Sequence, residues 1–191
     1  MAPSLWQLSL SEFRDQVASK QPTPSCGAAA AVGASLGLAL IQMAIRLGID
    51  RQRSEHDELL QQSEPLQRQL MASADEDTRA FGDFIEADSD EARRQAARDS
   101  IAVPLATAHA CRAALRLAER TKPLVKESIR PDVVAGALMI HAAMDAVLLN
   151  VNANLALIPD EAERVDLSNS RDRLRTEANQ IWLSLQRAEP A

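Results

Sequence analysis

Apolar and polar positions alternate with a helical period along nearly the whole chain, and the pattern predicts an all-α fold, a bundle of about six helices with two buried central ones. Ser9, followed three residues later by Glu12, is a capping box that opens a first helix running to about residue 19. Gln21-Pro-Thr-Pro-Ser25 interrupts it, because each proline disfavours helix at the residue before it. A second helix spans about residues 26–47, with Gly48-Ile-Asp50 as C-cap and restart. Residues 51 to about 87 are polar and amphipathic, with Leu59, Leu66, Leu70, Ala74, Phe81, Phe84 and Ile85 at helical spacing, and Pro65 is expected to kink the helix. Asp88-Ser-Asp90 caps a fourth helix reaching about residue 120. Within it Pro104 must bend the helix or have a neighbour satisfy the carbonyl it frees. After a basic loop over residues 121–130, Pro131 opens a fifth helix to about residue 158. Pro159-Asp160 stops it, and a last amphipathic helix covers about residues 168–187.

Two of these helices are almost free of charge. Residues 25–45 hold no charged side chain over 21 residues and include Gly33-x-x-x-Gly37, the outline of a membrane span with a dimerisation face. Its alanines contribute little to insertion, Gln42 stands near its end, and no Trp or Tyr belt flanks it. An all-apolar helix rich in small residues also suits the centre of a soluble bundle, and that is the place expected for this one. The fifth helix has only Asp132, His141 and Asp145 as titratable groups and is the second central helix.

Composition narrows the function classes. A chain of 191 residues can bury one sizeable core, and with five aromatics, no tyrosine and long Ala/Leu runs it offers poor strand material. Its 27 acidic residues outnumber 21 basic ones, and the arginines are interleaved with carboxylates, so there is no footprint for nucleic acid. Cys26 and Cys111 belong to no metal or redox spacing, and the first residues lack signal-peptide features, so a cytoplasmic protein is expected. No linker or repeat divides residues 1–191, which are read as one domain.

Candidate chemistry gathers at four places. Pro24, Ser25, Cys26 and Gly27 lead into a buried helix, where free amides and the positive dipole end favour an electron-rich ligand group; a rigid turn before a packed helix is the alternative. A thiol at a helix start could act as a nucleophile, but Cys26 has no identifiable base partner and is read as a small helix-start residue. Asp75-Glu-Asp77 lies late in the third helix, where positions i and i+2 point in different directions. His141 and Asp145 share a face of the fifth helix, where a buried carboxylate would hold and charge an imidazole. Asn150 and Asn154 share another face and suit a polar ligand or a neighbouring helix.

The order PTPxxG-A-A-A-x-x-G-A-x-L-G, D-x-D-x-x-A-F, V-P-L, D-x-x-V-A and N-V-x-x-N-L, over residues 21–160, resembles the cyclodeaminase and cyclohydrolase family. That family comprises the C-terminal domain of formiminotransferase-cyclodeaminase and stand-alone bacterial methenyltetrahydrofolate cyclohydrolases. The resemblance implies a helical homodimer, a pterin or folate-type ligand in a groove near the subunit interface, and no metal or redox cofactor beyond the tetrahydrofolate substrate. It places the family's acid/base aspartate at Asp77 and a second aspartate at Asp132, with Pro24, Ser25, Cys26, Gly27, Asp75, Asn150 and Asn154 binding substrate. The sequence departs from the family where PTPGGG is PTPSCG, where a lysine-rich segment is Asp50-Arg-Gln-Arg53, and where Pro131 precedes Asp132. A folate cyclohydrolase and a non-catalytic or substrate-shifted, dimeric ligand-binding paralogue both remain open on these residues.

Overall fold

The computed structural model describes residues 4–50 and 52–187. A single 3₁₀ turn, Leu5–Gln7, precedes six α-helices: α1 (Leu10–Val17), α2 (Cys26–Gly48), α3 (Ser54–Glu86), α4 (Asp90–Thr121), α5 (Arg130–Asn154) and α6 (Glu161–Gln186). There is no strand among the described residues.

Local signals set most of the boundaries. The Ser9 hydroxyl accepts from Glu12 N while the Glu12 carboxylate accepts from Ser9 N, which satisfies two orphan amides at the start of α1. Ser89 caps α4 by accepting from Ala92 N at 3.2 Å. Pro131 stands in the first turn of α5. Helix α6 begins at Glu161, seven residues before the expected start at residue 168, because Asp160 accepts from Glu163 N at 2.8 Å and acts as an N-cap as well as a stop. The fifth helix ends at Asn154, and a 3₁₀ turn, Leu155–Leu157, carries the chain onward. α3 is continuous through Pro65.

Side-chain bonds fix the register. Ser35 pairs with Gln67 and Gln42 with Ser63, so α2 and α3 run antiparallel. Arg98 meets Glu163 and Arg112 meets Glu177 at the same sequence offset, so α4 and α6 run parallel. Helices α2, α3, α4 and α5 form an up-down-up-down bundle in which each packs on the next and α5 closes against α2; α6 lies in the groove of α4 and α5. Lys122 donates from Nζ to the carbonyls of Leu185 and Arg187, tying the end of α6 to α4.

α2 and α5 form the centre of the core. Leu38, Ile41 and Ile45 of α2 and Ile140, Met144 and Leu148 of α5 belong to one apolar cluster, each fully or almost fully buried, and removing such side chains from water contributes about 1.5–3 kcal/mol each. Glycine permits the close approach of the two backbones. A Cβ on Gly37 would lie 2.6 Å from the Gly136 carbonyl oxygen, and one on Gly136 would lie 2.5 Å from that of Gly37. Gly33, its partner in the sequence motif, faces open space, so Gly37 serves an intramolecular crossing. Both α2 and the segment 127–157 are long and apolar enough to cross a bilayer by length and composition, and within the fold most of α2 is covered by other helices.

Candidate active site

Because α2 starts beside the last third of α3 and the end of α5, these three ends and the middle of α4 enclose a cleft of about 200 Å³. α2 contributes Ser25 and Cys26; α3 contributes Asp77, Ala80, Phe81 and Phe84; α4 contributes Ser100, Val103 and Pro104. Asn150 and Asn154 of α5, with Leu157 beyond it, complete the wall. The apolar part suits a flat ring system, and the polar atoms converge at the end where α2 begins.

Asp77 is the centre of those polar atoms. Only 8% of the residue is exposed. Its Oδ2 accepts from Ala28 N at 2.9 Å and from the Ser25 hydroxyl at 3.0 Å. Ser25 gives α2 no cap through its own side chain, so a carboxylate from α3 caps that helix in its place. The positive end of α2, expected to receive a ligand, is therefore partly neutralised by Asp77 itself. A Cβ on Gly27 would sit 1.9 Å from Asp77 Oδ1, so only glycine allows the carboxylate this close. Oδ1 has one longer bond, from Asn150 Nδ2 at 3.4 Å. Burial pushes the Asp77 carboxyl above the ordinary aspartate value, and the Ser25 and Ala28 donors hold it back.

The remaining expected residues divide. Cys26 is exposed at the cleft, and burial followed by the neighbouring Asp77 charge raises its thiol pKa, which opposes a nucleophilic thiolate. Pro24 is buried beneath the turn, and the Thr23–Pro24 bond is cis. Ser25, expected to bind substrate, lines the cleft but donates its hydroxyl to Asp77. Asp75 is turned out of the cleft: Oδ2 accepts from the Ser4 hydroxyl at 2.7 Å and Oδ1 from Leu5 N at 2.8 Å, while Trp6 Nε1 donates to the Met71 carbonyl at 2.8 Å. It clasps the N-terminal segment. Asp132 opens α5 while Asn150 lies near its other end, about 27 Å away along the helix, so one chain does not bring Asp132 to Asp77.

His141 and Asp145 also lie elsewhere. The Asp145 side chain is about half exposed and its Oδ2 stands 3.8 Å from His141 Nδ1, whereas His141 Nε2 bonds Asn179 Oδ1 at 2.8 Å and the ring tilts against Trp182. This is α5–α6 packing and not a charged core pair. Phe81 and Phe84, two of the chain's three phenylalanines and marked by the sequence only as apolar positions at helical spacing, line the cleft at i,i+3 near the end of α3. Among the described residues no three His, Cys, Asp or Glu side chains converge as metal ligands.

A family model described as formiminotransferase-cyclodeaminase matches residues 9–173. The chain belongs to that family. It is 28% identical to a methenyltetrahydrofolate cyclohydrolase of Methylorubrum extorquens over 88% of this chain and 89% of that protein. It is also 28% identical to the formimidoyltransferase-cyclodeaminase of Sus scrofa, matching 97% of this chain and 38% of that longer one. In structure it is similar to a formiminotetrahydrofolate cyclodeaminase of Thermotoga maritima, with a TM-score of 0.89, 22% identity and coverage of 95% and 96% of the two chains. That likeness shows the fold, and the six-helix all-α arrangement expected of this family member is the one observed.

Proposed function

We propose that this chain is a folate-type cyclohydrolase, converting methenyltetrahydrofolate and water to formyltetrahydrofolate, with Asp77 as the acid/base group. The observation that carries the proposal is a buried carboxylate held by one oxygen at the start of α2, its other oxygen beside Asn150, in a cleft with two phenylalanines. The similarity to a cyclohydrolase over almost the full length of both chains supports it.

The chemistry follows from charge. The substrate carbon lies between two nitrogens in a cationic amidine, and an ionised carboxylate stabilises that cation. A water oxygen bonds to the carbon as Asp77 Oδ1 accepts a water proton. Asp77 returns the proton to the departing nitrogen, the C–N bond breaks, and the new hydroxyl loses its proton to solvent as the formyl group forms. A carboxyl raised toward neutrality by burial is better matched to both transfers. Asn150 and Asn154 orient the substrate's polar edge, and Phe81 and Phe84 take its ring. No metal or redox cofactor enters this scheme.

The protein is proposed to act as one soluble cytoplasmic domain and as a homodimer. Leu36 and Leu138, 46% and 50% exposed on the two most apolar helices, support a subunit contact there. Sedimentation without detergent tests this, and a monomer at micromolar concentration would sink it.

A ligand-binding paralogue without turnover is the second reading, favoured by the Cys26 side chain at the cleft mouth. Following the absorbance of methenyltetrahydrofolate separates the two. Enzyme-dependent loss of absorbance supports hydrolysis, and tight calorimetric binding without that loss supports the paralogue.

A further inference from the structure

α4 contains a buried proline in mid-helix, which usually weakens such a helix. Pro104 has no N–H, so the Ser100 carbonyl, four residues earlier, has no helical donor from that position. The Asn154 side chain supplies one from α5, donating from Nδ2 to Ser100 O at 2.9 Å. A carbonyl only accepts, so this contact decides which end of the Asn154 amide faces α4. The same Nδ2 stands 3.4 Å from Asn150 Oδ1, which leaves Asn150 Nδ2 directed at Asp77 Oδ1. Each amide is oriented by the group before it, and the series ends on the carboxylate oxygen that Ser25 and Ala28 leave free.

We propose that Pro104 is a positioning residue: by leaving the Ser100 carbonyl without a helical donor, it fixes the amide orientation of Asn154 and, through Asn150, presents an N–H to Asp77. The proposal rests on Asp77 as the acid/base group. Pro65 of α3 shows the contrast, because it and Gln61, whose carbonyl it frees, are both exposed, and water can serve that carbonyl. Among the groups facing Asp77, the Cys26 thiol of α2 is the titratable one; α4 and α5 present only non-titrating side chains to the cleft.

The test restores the missing donor. In Pro104→Ala, residue 104 gains an N–H that bonds Ser100 O and releases Asn154. Placing lactic acid, the hydroxy-acid analogue of alanine, at position 104 removes the ring but still offers no N–H. Pro104→Ala should lower kcat about fivefold, as expected for one lost hydrogen bond, and move the acid limb of the pH–rate profile to higher pH. The lactic acid variant should restore both. Side-chain ¹⁵N spectra should show the Asn154 amide protons exchanging slowly in the unmodified protein and the lactic acid variant, and rapidly in Pro104→Ala. Pro65→Ala should change none of these readings. An Asn154 signal unaffected by Pro104→Ala, or a lactic acid variant that behaves like Pro104→Ala, overturns the proposal. If the unmodified protein does not turn over methenyltetrahydrofolate while the Asn154 signal still responds as expected, the positioning stands and the cyclohydrolase reading falls.

Discussion

Asp75 and Asp77 stand two positions apart on one helix and serve different neighbourhoods. Asp75 takes two donors from the first described residues of the chain and holds them against α3. Asp77 takes two donors from the start of α2, keeps its second oxygen lightly bonded, and lines the cleft. A spacing of two turns a helix by about 200°, so the two carboxylates of a D-x-D cannot share a site on one helix. Chemistry is therefore assigned by the surroundings of each side chain and not by the motif that contains both.

The largest expected effect is at Asp77. Asp77→Asn keeps an oxygen for Ser25 and Ala28 but loses the charge and the proton acceptor, so kcat should fall by about 10²–10⁴-fold, with the melting temperature nearly unchanged. An unaltered rate would move the acid/base role to another group. Next comes Gly27→Ala, whose Cβ would overlap Asp77 Oδ1 at 1.9 Å. We expect more than a tenfold loss of kcat and about 1–3 kcal/mol of destabilisation in denaturant titrations. Asp75→Ala should reverse that ratio, costing about 1–3 kcal/mol by releasing two half-buried donors from a carboxylate, while kcat changes by less than about twofold. A rate loss as large as that of Asp77→Asn would show that the two neighbourhoods are not separate.

pH distinguishes the two sites more finely. Burial is the largest influence on Asp77 and raises its pKa, so the folded protein binds that proton more tightly than the unfolded chain does. The linked stability is fully present below the unfolded value, about 3.9, and is lost as pH rises through the folded one. Activity runs the other way, with the acid limb of kcat/KM above the ordinary aspartate range. Asp77→Asn should remove the linked stability, so the unmodified protein gains on the variant as pH falls through that window in thermal melts. The smallest effect is expected at Asp132, where Asp132→Asn should leave the rate within about twofold. A loss above tenfold would mean that a second copy carries Asp132 to this cleft.

Much of the fold was legible because its signals are local. The Ser9–Glu12 box, the uncharged run of α2, and Pro131 at the start of α5 each act within a turn of helix. The start of α6 is not legible in the sequence because Asp160 follows a proline and reads as a terminator, while its bond from Glu163 N makes it an N-cap. At the site, family resemblance marked Asp77 and the two asparagines. Which donor serves which acceptor depends on pairing between helices, and a single sequence does not contain that pairing. Thus the sequence counts Ser25 among the substrate ligands while its hydroxyl bonds Asp77, and the family resemblance gives Asp75 to the substrate while its carboxylate holds Ser4 and Leu5. The sequence shows that Pro104 frees a carbonyl, but only the α4–α5 register names Asn154 as the side chain that meets it.

The Gly37–Gly136 crossing has a mechanical consequence. It is a fulcrum: Asn150 lies fourteen residues along α5 from it, a lever arm of about 20 Å, and Ser25 lies on a slightly shorter arm along α2. An angular drift of about 2° between the helices would displace Asn150 relative to Ser25 by about 0.7 Å, close to the 1 Å misplacement that can cost a reaction about a hundredfold. Two missing methyl groups in the middle of the bundle thus act as its hinge pin, and they set how tightly the jaws around Asp77 are aligned.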